Sequence, residues 1–188
     1  MEEPKVPSAS DLTYANYLKI PELLSLQQPM SDPTHHDEML FIVIHQTYEL
    51  WFRLILWELE KAIDYMGKGK TLRARHFVER VVAIMKVLVD QIHLLETMTP
   101  VEFTEFRSNL QPASGFQSSQ FREIEFFCGL KNPDFLRFFK YDPEVQERLQ
   151  ERLDNPDIRE AFYTMLGELG FKLPDSRNIR ELLGNPEY

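Results

Sequence analysis

The chain has 188 residues, 43% hydrophobic and 12% aromatic, with a formal charge of −9 and one cysteine. Such a chain can bury one sizeable core; a disordered protein, an intrachain disulfide and a cysteine-based zinc site are excluded. The acidic balance argues against nucleic acid as a partner, because phosphate binding needs clustered Lys and Arg.

Residues 1–10 are polar and Pro-containing and are expected to form a mobile tail, with residues 11–188 as a single domain. Met1-Glu2-Glu3-Pro4 does not open a signal peptide. No uncharged run approaches the roughly 20 residues of a membrane span. The expectation is a cytoplasmic protein with no membrane partner. Asp11 could cap a short helix that presents Tyr14, Tyr17 and Leu18 on one side. Pro21, Pro29 and Pro33 break the chain, leaving a short helix near residues 22–26 and a loop.

The stretch from Thr34 to Glu60 has no Gly or Pro and is the most apolar part of the chain. It predicts a long helix, with Asp37 and Glu38 suiting its positive N-terminal end. At helical spacing Phe41, His45, Tyr48, Glu49 and Phe52 share a face. Gly67 and Gly69 mark a turn. Phe77, Val81, Ile84, Leu88, Ile92 and Leu95 then recur at three and four residues, which predicts a second long helix over residues 72–98. Two long helices joined by a short turn form an antiparallel hairpin.

Thr99-Pro100-Val101-Glu102 is a capping box with Pro at the first helical position, predicting a helix to about Leu110. Ser118 or Ser119 caps the next. Asn132-Pro133, Asp142-Pro143 and Asn155-Pro156 each read as a helix start, and Ser176 caps a last one. No alternating strand pattern and no repeat occurs. The expected fold is all-α: a helical bundle with two long antiparallel helices and several short ones.

Few residues offer chemistry. His-Glu-x-x-His, Gly-x-Ser-x-Gly and a P-loop are all absent. Asp90-Gln91-Ile92-His93 is the nearest approach to the Glu-x-x-His pair of a di-iron bundle. His35 and His36 read as a cap region, and His76 as surface. Cys128, between Phe127 and Gly129, reads as a small buried hydrophobe. His45 is either a core imidazole bonded to a carbonyl or a working group in a pocket. Arg107, with Phe103 and Phe106, is either a snorkelling surface residue or a two-pronged grip for a carboxylate.

These residues lie in long runs that resemble the tryptophan 2,3-dioxygenase family. The runs are His35-His36-Asp37-Glu38-Met39-Leu40-Phe41-Ile42, His45-Gln46-Thr47-Tyr48-Glu49-Leu50-Trp51, Leu95-Glu96-Thr97-Met98-Thr99, and Pro112 to Arg122. The resemblance implies a haem b enzyme that inserts O2 across the indole C2–C3 bond of L-tryptophan, giving N-formylkynurenine. It implies that His45 hydrogen-bonds the indole N–H and that Phe41 packs on the ring. It implies that Arg107 clamps the carboxylate, and that Phe103, Leu110, Ser114 and Gly115 line the substrate pocket and haem edge. Tyr14, Tyr17 and Leu18 match residues that enter a neighbouring subunit's site, in a homotetramer. Phe103 departs from relatives that carry a tyrosine there, which leaves Arg107 more of the carboxylate. No histidine here matches the family's proximal iron ligand, and its Gly-Thr-Gly-Gly ammonium loop is not found. The chain is therefore expected to be a fragment or truncated enzyme, half of a split enzyme, or a non-catalytic paralogue. A relative oxygenating another aromatic substrate also stays open.

Overall fold

The computed structural model describes residues 12–171. Among them there is no strand. Eight α-helices run in order: α1 Tyr14–Leu18, α2 Ile20–Leu24, α3 His36–Gly67, α4 Thr71–Leu95, α5 Pro100–Arg107, α6 Ser119–Phe127, α7 Pro143–Asp154 and α8 Ile158–Glu168. The expected all-α architecture is what the chain adopts. Asp11 and Ser176 lie outside the described residues. Thr13 caps α1, its hydroxyl accepting from the Asn16 amide.

Helix α3 turns into α4 because Gly69 takes φ 64°, a left-handed backbone that glycine reaches at no steric cost. Its N–H donates to Met66 O at 2.9 Å, and Lys70 N–H reaches back to Tyr65 O at 2.9 Å. That pair of bonds is a Schellman closure. The two helices then run antiparallel in fixed register. Arg80 meets Glu58 at 2.8 Å, and Tyr48 Oη donates to Leu88 O at 2.7 Å. Helix α4 ends at Leu95, short of the predicted residue 98, because the N–H groups of Thr97 and Met98 bond only three residues back, to Leu94 O and Leu95 O, and the chain then turns into the Thr99 cap.

The main core lies between α3, α4 and α6. Phe52, Ile55, Leu56 and Leu59 face Val81, Ile84 and Leu88, with Ile124 and Phe127 closing the third side. By length and composition alone α3 could cross a membrane. In the fold it is the central helix, contacting α4, α6, α8 and α5. It also buries Glu38 and Glu58, which hydrocarbon would penalise.

Thr99, Ser118, Asn132 and Asp142 each cap the helix predicted for them. The Asn132 helix is a 3-10 helix over Pro133–Phe139. Asn155-Pro156 is not a helix start. Asp157 caps α8, in a capping box with Glu160, because only there does a side-chain oxygen reach the Glu160 amide, at 2.8 Å. Cys128 is exposed rather than buried. It forms the C-cap of α6, where the helix has already turned away from the core that holds Phe126 and Phe127.

Candidate functional site

Helix α5 crosses the start of α3, and the contact is made of rings. Phe106 is fully buried. Its centroid lies 5.7 Å from Phe41, 5.6 Å from Phe103 and 5.4 Å from His35. Phe41 also meets Phe103 at 5.7 Å and stacks on His45 at 4.0 Å. Aromatic pairs at these separations contribute beyond their buried area. The result is a continuous ladder from His45 through Phe41 to Phe103. Arg107 follows Phe103 by one helical turn and so shares its face.

The entry to α3 is pinned by polar groups. Glu38 has no solvent exposure and accepts from Met30 N–H at 2.7 Å, Ser31 N–H at 3.0 Å and the Ser31 hydroxyl. Burial raises its carboxyl pKa, but those three bonds and the nearby His35 outweigh burial and hold it below the ordinary value. The Ser31 hydroxyl in turn accepts from His35 N–H at 2.8 Å. The His35 Nδ1 accepts from Asp37 N–H at 3.2 Å, so its Nε2–H points to Glu105 on α5, 2.8 Å away. His35 is thus a helix cap, as its sequence position suggested, and also a tie between α3 and α5.

His45 is exposed and not a core residue. Its Nδ1 lies 2.7 Å from Phe41 O. A carbonyl can only accept, so Nδ1 carries the proton. In the neutral ring Nε2 is then left with a lone pair as a hydrogen-bond acceptor. Beside His45 lies a cavity of about 240 Å3 lined by Tyr48, Glu49, Phe52, Ile92, Gly115 and Phe121 among others. Tyr48 is held by Leu88 O, and burial pushes its phenol pKa up, so it remains a donor. The Glu49 carboxylate is occupied by Gln120 Nε2 at 2.8 Å. The cavity is therefore largely apolar, with one free acceptor at its edge.

The Gly115 wall is a short 3-10 turn over Gly115–Gln117, capped by Ser114. An added Cβ at Gly115 would meet nothing within 4 Å, so the backbone there borders open space. Arg122, buried behind this turn, lies 5.9 Å from the Phe116 ring and 4.0 Å from the Phe135 ring. It anchors the loop to the body of the protein.

The fold thus brings His45 and Gly115 to one cavity and sets Phe41, Phe103 and Arg107 on the adjoining ladder. Ser114 caps the cavity's turn. Leu110 ends the Ser108–Leu110 turn after α5, half-buried. The Arg107 guanidinium is half-buried and has no ion pair or hydrogen bond among the described residues. Tyr14, Tyr17 and Leu18 are exposed on α1, which buries none of its residues. Sequence reasoning put Glu38 at the helix N-terminus but missed its pairing with Met30 and Ser31, and missed Glu105. Only the pairing of a helix with a distant loop reveals them, and that has no period. No group of three or more His, Cys, Asp or Glu able to hold a metal occurs among the described residues.

A larger cavity, about 810 Å3, lies between α4 and α8, and its lining includes Met66 and Ala74. It is roughly 30 Å from His45 along α3 at 1.5 Å per residue. Of its three charged lining residues, Arg75 and Glu79 are paired with each other at 2.7 Å, and Arg159 reaches Asp157 at 3.3 Å. One wall ends at Phe171, the last described residue.

A model of the tryptophan 2,3-dioxygenase family matches residues 3–176. Curated relatives carry the same name. The one from Nocardioides sp. (strain ATCC BAA-499 / JS614) is 51% identical over 179 residues, 93% of this chain and 67% of the relative. The one from Herpetosiphon aurantiacus is 47% identical, over 91% of this chain and 65% of its own. The one from Xanthomonas euvesicatoria pv. vesicatoria is 45% identical, over 90% and 57%. The chain therefore spans between 57% and 67% of the length of these relatives.

Proposed function

The chain belongs to the tryptophan 2,3-dioxygenase family, and from that premise we propose that it supplies the substrate-facing side of a haem-dependent tryptophan 2,3-dioxygenase. The substrates are L-tryptophan and O2, the product N-formylkynurenine, and the site of action the cytoplasm. The observation that carries this is the His45 ring. Its Nδ1–H is committed to Phe41 O, which leaves Nε2 as the acceptor of a ring that lines an apolar, ring-walled cavity. An indole N–H needs such an acceptor, and an indole ring needs such walls.

The residues fit haem as its distal neighbours. The cavity wall is apolar, Gly115 leaves its edge open, and the one carboxylate there is tied to Gln120. Haem, when bound, supplies the activation of O2. His45, Ser114 and Gly115 would border the group on this side. The chain's own residues bind and orient. The Phe41 and Phe103 rings pack on the indole. Arg107, half-buried and without an internal carboxylate, grips the substrate carboxylate through two parallel bonds. Fixing both ends of tryptophan sets the indole in one position. His45 holds the indole N–H as a hydrogen-bond partner. Leu110 and Ser114 shape the rim. Tyr14, Tyr17 and Leu18, exposed on α1, reach a neighbouring subunit's site in a homotetramer.

The test is to express the chain, add haemin and reductant, and follow the Soret band and N-formylkynurenine absorbance with tryptophan. The same assay is run on a longer chain that appends the unmatched part of the Nocardioides relative. Activity in either supports the reading, and activity in neither overturns it. In the active form, Arg107→Ala should raise the Michaelis constant for tryptophan about tenfold to a hundredfold, the loss expected for a charge-assisted pair. A constant that barely moves would remove Arg107 from the carboxylate.

A further inference from the structure

Helix α5 carries Phe103 and Arg107, two of the residues assigned to tryptophan, yet it is only eight residues long. A helix that short is not stable alone and takes its place from what it packs on. Here that is the start of α3. Part of the contact is apolar: Phe106 lies against Phe41 and His35, and Phe103 lies against Phe41. Burial of rings is largely non-directional. It presses α5 onto α3 but sets little of its rotation about its own axis, and that rotation decides where Arg107 points.

The directional part of the contact is one bond, from His35 Nε2 to Glu105 Oε2 at 2.8 Å. Beyond the Thr99 cap it is the only side-chain hydrogen bond or ion pair of α5 with another element among the described residues. Its donor is prepared. The His35 Nδ1 accepts from Asp37 N–H, which puts the proton on Nε2. The His35 backbone N–H donates to the Ser31 hydroxyl, which is itself held by buried Glu38. Its acceptor stands two residues before Arg107. The other acid of α5, Glu102, accepts from Thr99 N–H at 2.7 Å. Both acids of the helix are therefore engaged elsewhere, and neither pairs with Arg107.

We propose that His35 and Glu105 are positioning residues for the candidate site: their bond fixes the rotation of α5 on α3 and so aims Arg107 at the substrate carboxylate. The inference rests on the proposed function for the identity of the substrate. Its location rests on the bond alone. Neither residue touches tryptophan; both act through Arg107.

The test measures the Kd of L-tryptophan and of indole by calorimetry, together with turnover, on the haemin-loaded longer chain. His35→Asn keeps an oxygen that can cap the Asp37 amide but has no atom at the place of Nε2. It also loses the ring contact with Phe106, so Glu105→Ala, which leaves every ring in place at a 58% exposed side chain, is the second variant. Each should weaken tryptophan about tenfold, the scale of one hydrogen bond to a charged group. Turnover at saturating tryptophan should hold within about twofold, since binding is lost and not chemistry. The double variant should bind tryptophan no worse than His35→Asn, because both changes break the same bond. Indole has no carboxylate and should keep its Kd throughout. The thermal midpoint of Glu105→Ala should match the wild type, an exposed pair contributing little to stability. Additive losses in the double variant overturn the proposal, as does an indole Kd that rises in step with that of tryptophan. A wild-type chain that binds tryptophan with this pattern but does not oxidise it keeps the positioning and removes the reaction. An active chain whose tryptophan Kd is indifferent to both changes does the reverse, and a chain that binds no tryptophan removes both.

Discussion

Glu38 shows how one buried charge can set the start of a helix. Three donors from Met30 and Ser31 converge on its carboxylate, and no acid of the unfolded chain enjoys such company. A carboxyl held below its ordinary value in the folded state contributes stability that is full above the unfolded pKa and is lost as pH falls through the folded value. Glu38→Gln should therefore destabilise the chain by about 1–3 kcal/mol at pH 7, since the donors then face an amide. The deficit should shrink in urea melts as pH falls below the ordinary carboxylate range and through the lower value of the folded state, where wild-type Glu38 itself takes up a proton. An equal deficit at pH 7 and pH 3 would mean that the charge plays no part. At His45 the same bookkeeping of donors gives function instead of stability. One nitrogen is spent on the helix, and that decides what the other can do.

Elements are joined here by caps, and most were readable. Thr99 with Glu102, Ser118, Asn132 and Asp142 each stand where a side-chain oxygen can reach an orphan amide two or three residues on. Asn155-Pro156 carries the same signature and fails, since Asp157 two residues later accepts the Glu160 amide and offers it a capping box. Gly129, after α6, explains why this corner is tight. It sits at φ +87°, and a Cβ there would stand 2.8 Å from Asp157 Oδ2. Gly129→Ala should cost about 1–3 kcal/mol through strain and the displaced cap. Urea unfolding would show it as a lower midpoint, and amide exchange should rise first in the opening turn of α8. A variant as stable as the wild type would mean that the Asp157 cap moves freely.

Across the whole molecule, α7 is bound to the body by charge as well as by rings. Buried Glu123 of α6 receives Arg148 at 2.7 Å and Arg152 at 3.2 Å, and Arg152 also reaches Glu60 on α3. Removing one partner of a fully buried pair costs roughly 3–5 kcal/mol, but both arginines are partly solvated here, so about 1–3 kcal/mol is expected for Glu123→Ala. Thermal unfolding in low and high salt checks this. The loss should be smaller in salt for the exposed Glu60 arm than for Glu123 itself. The same view shows α4 with apolar residues on two faces, one packed in the core and one exposed among the described residues.

The sequence alone determined the helices, their order and the hairpin, because periodicity, caps and a glycine at φ > 0 act over a few residues. Through its long runs it also pointed to the family and to His45, Phe41, Arg107 and Gly115 as the residues to watch. Only the tertiary structure decided that His45 is exposed with its Nδ1–H spent on Phe41 O. It also decided that Phe106 is the ring on which α3 and α5 meet, that Cys128 faces out, and that Glu38 closes on a loop seven residues away. Each of these depends on which surfaces come together in three dimensions, and no local period encodes that.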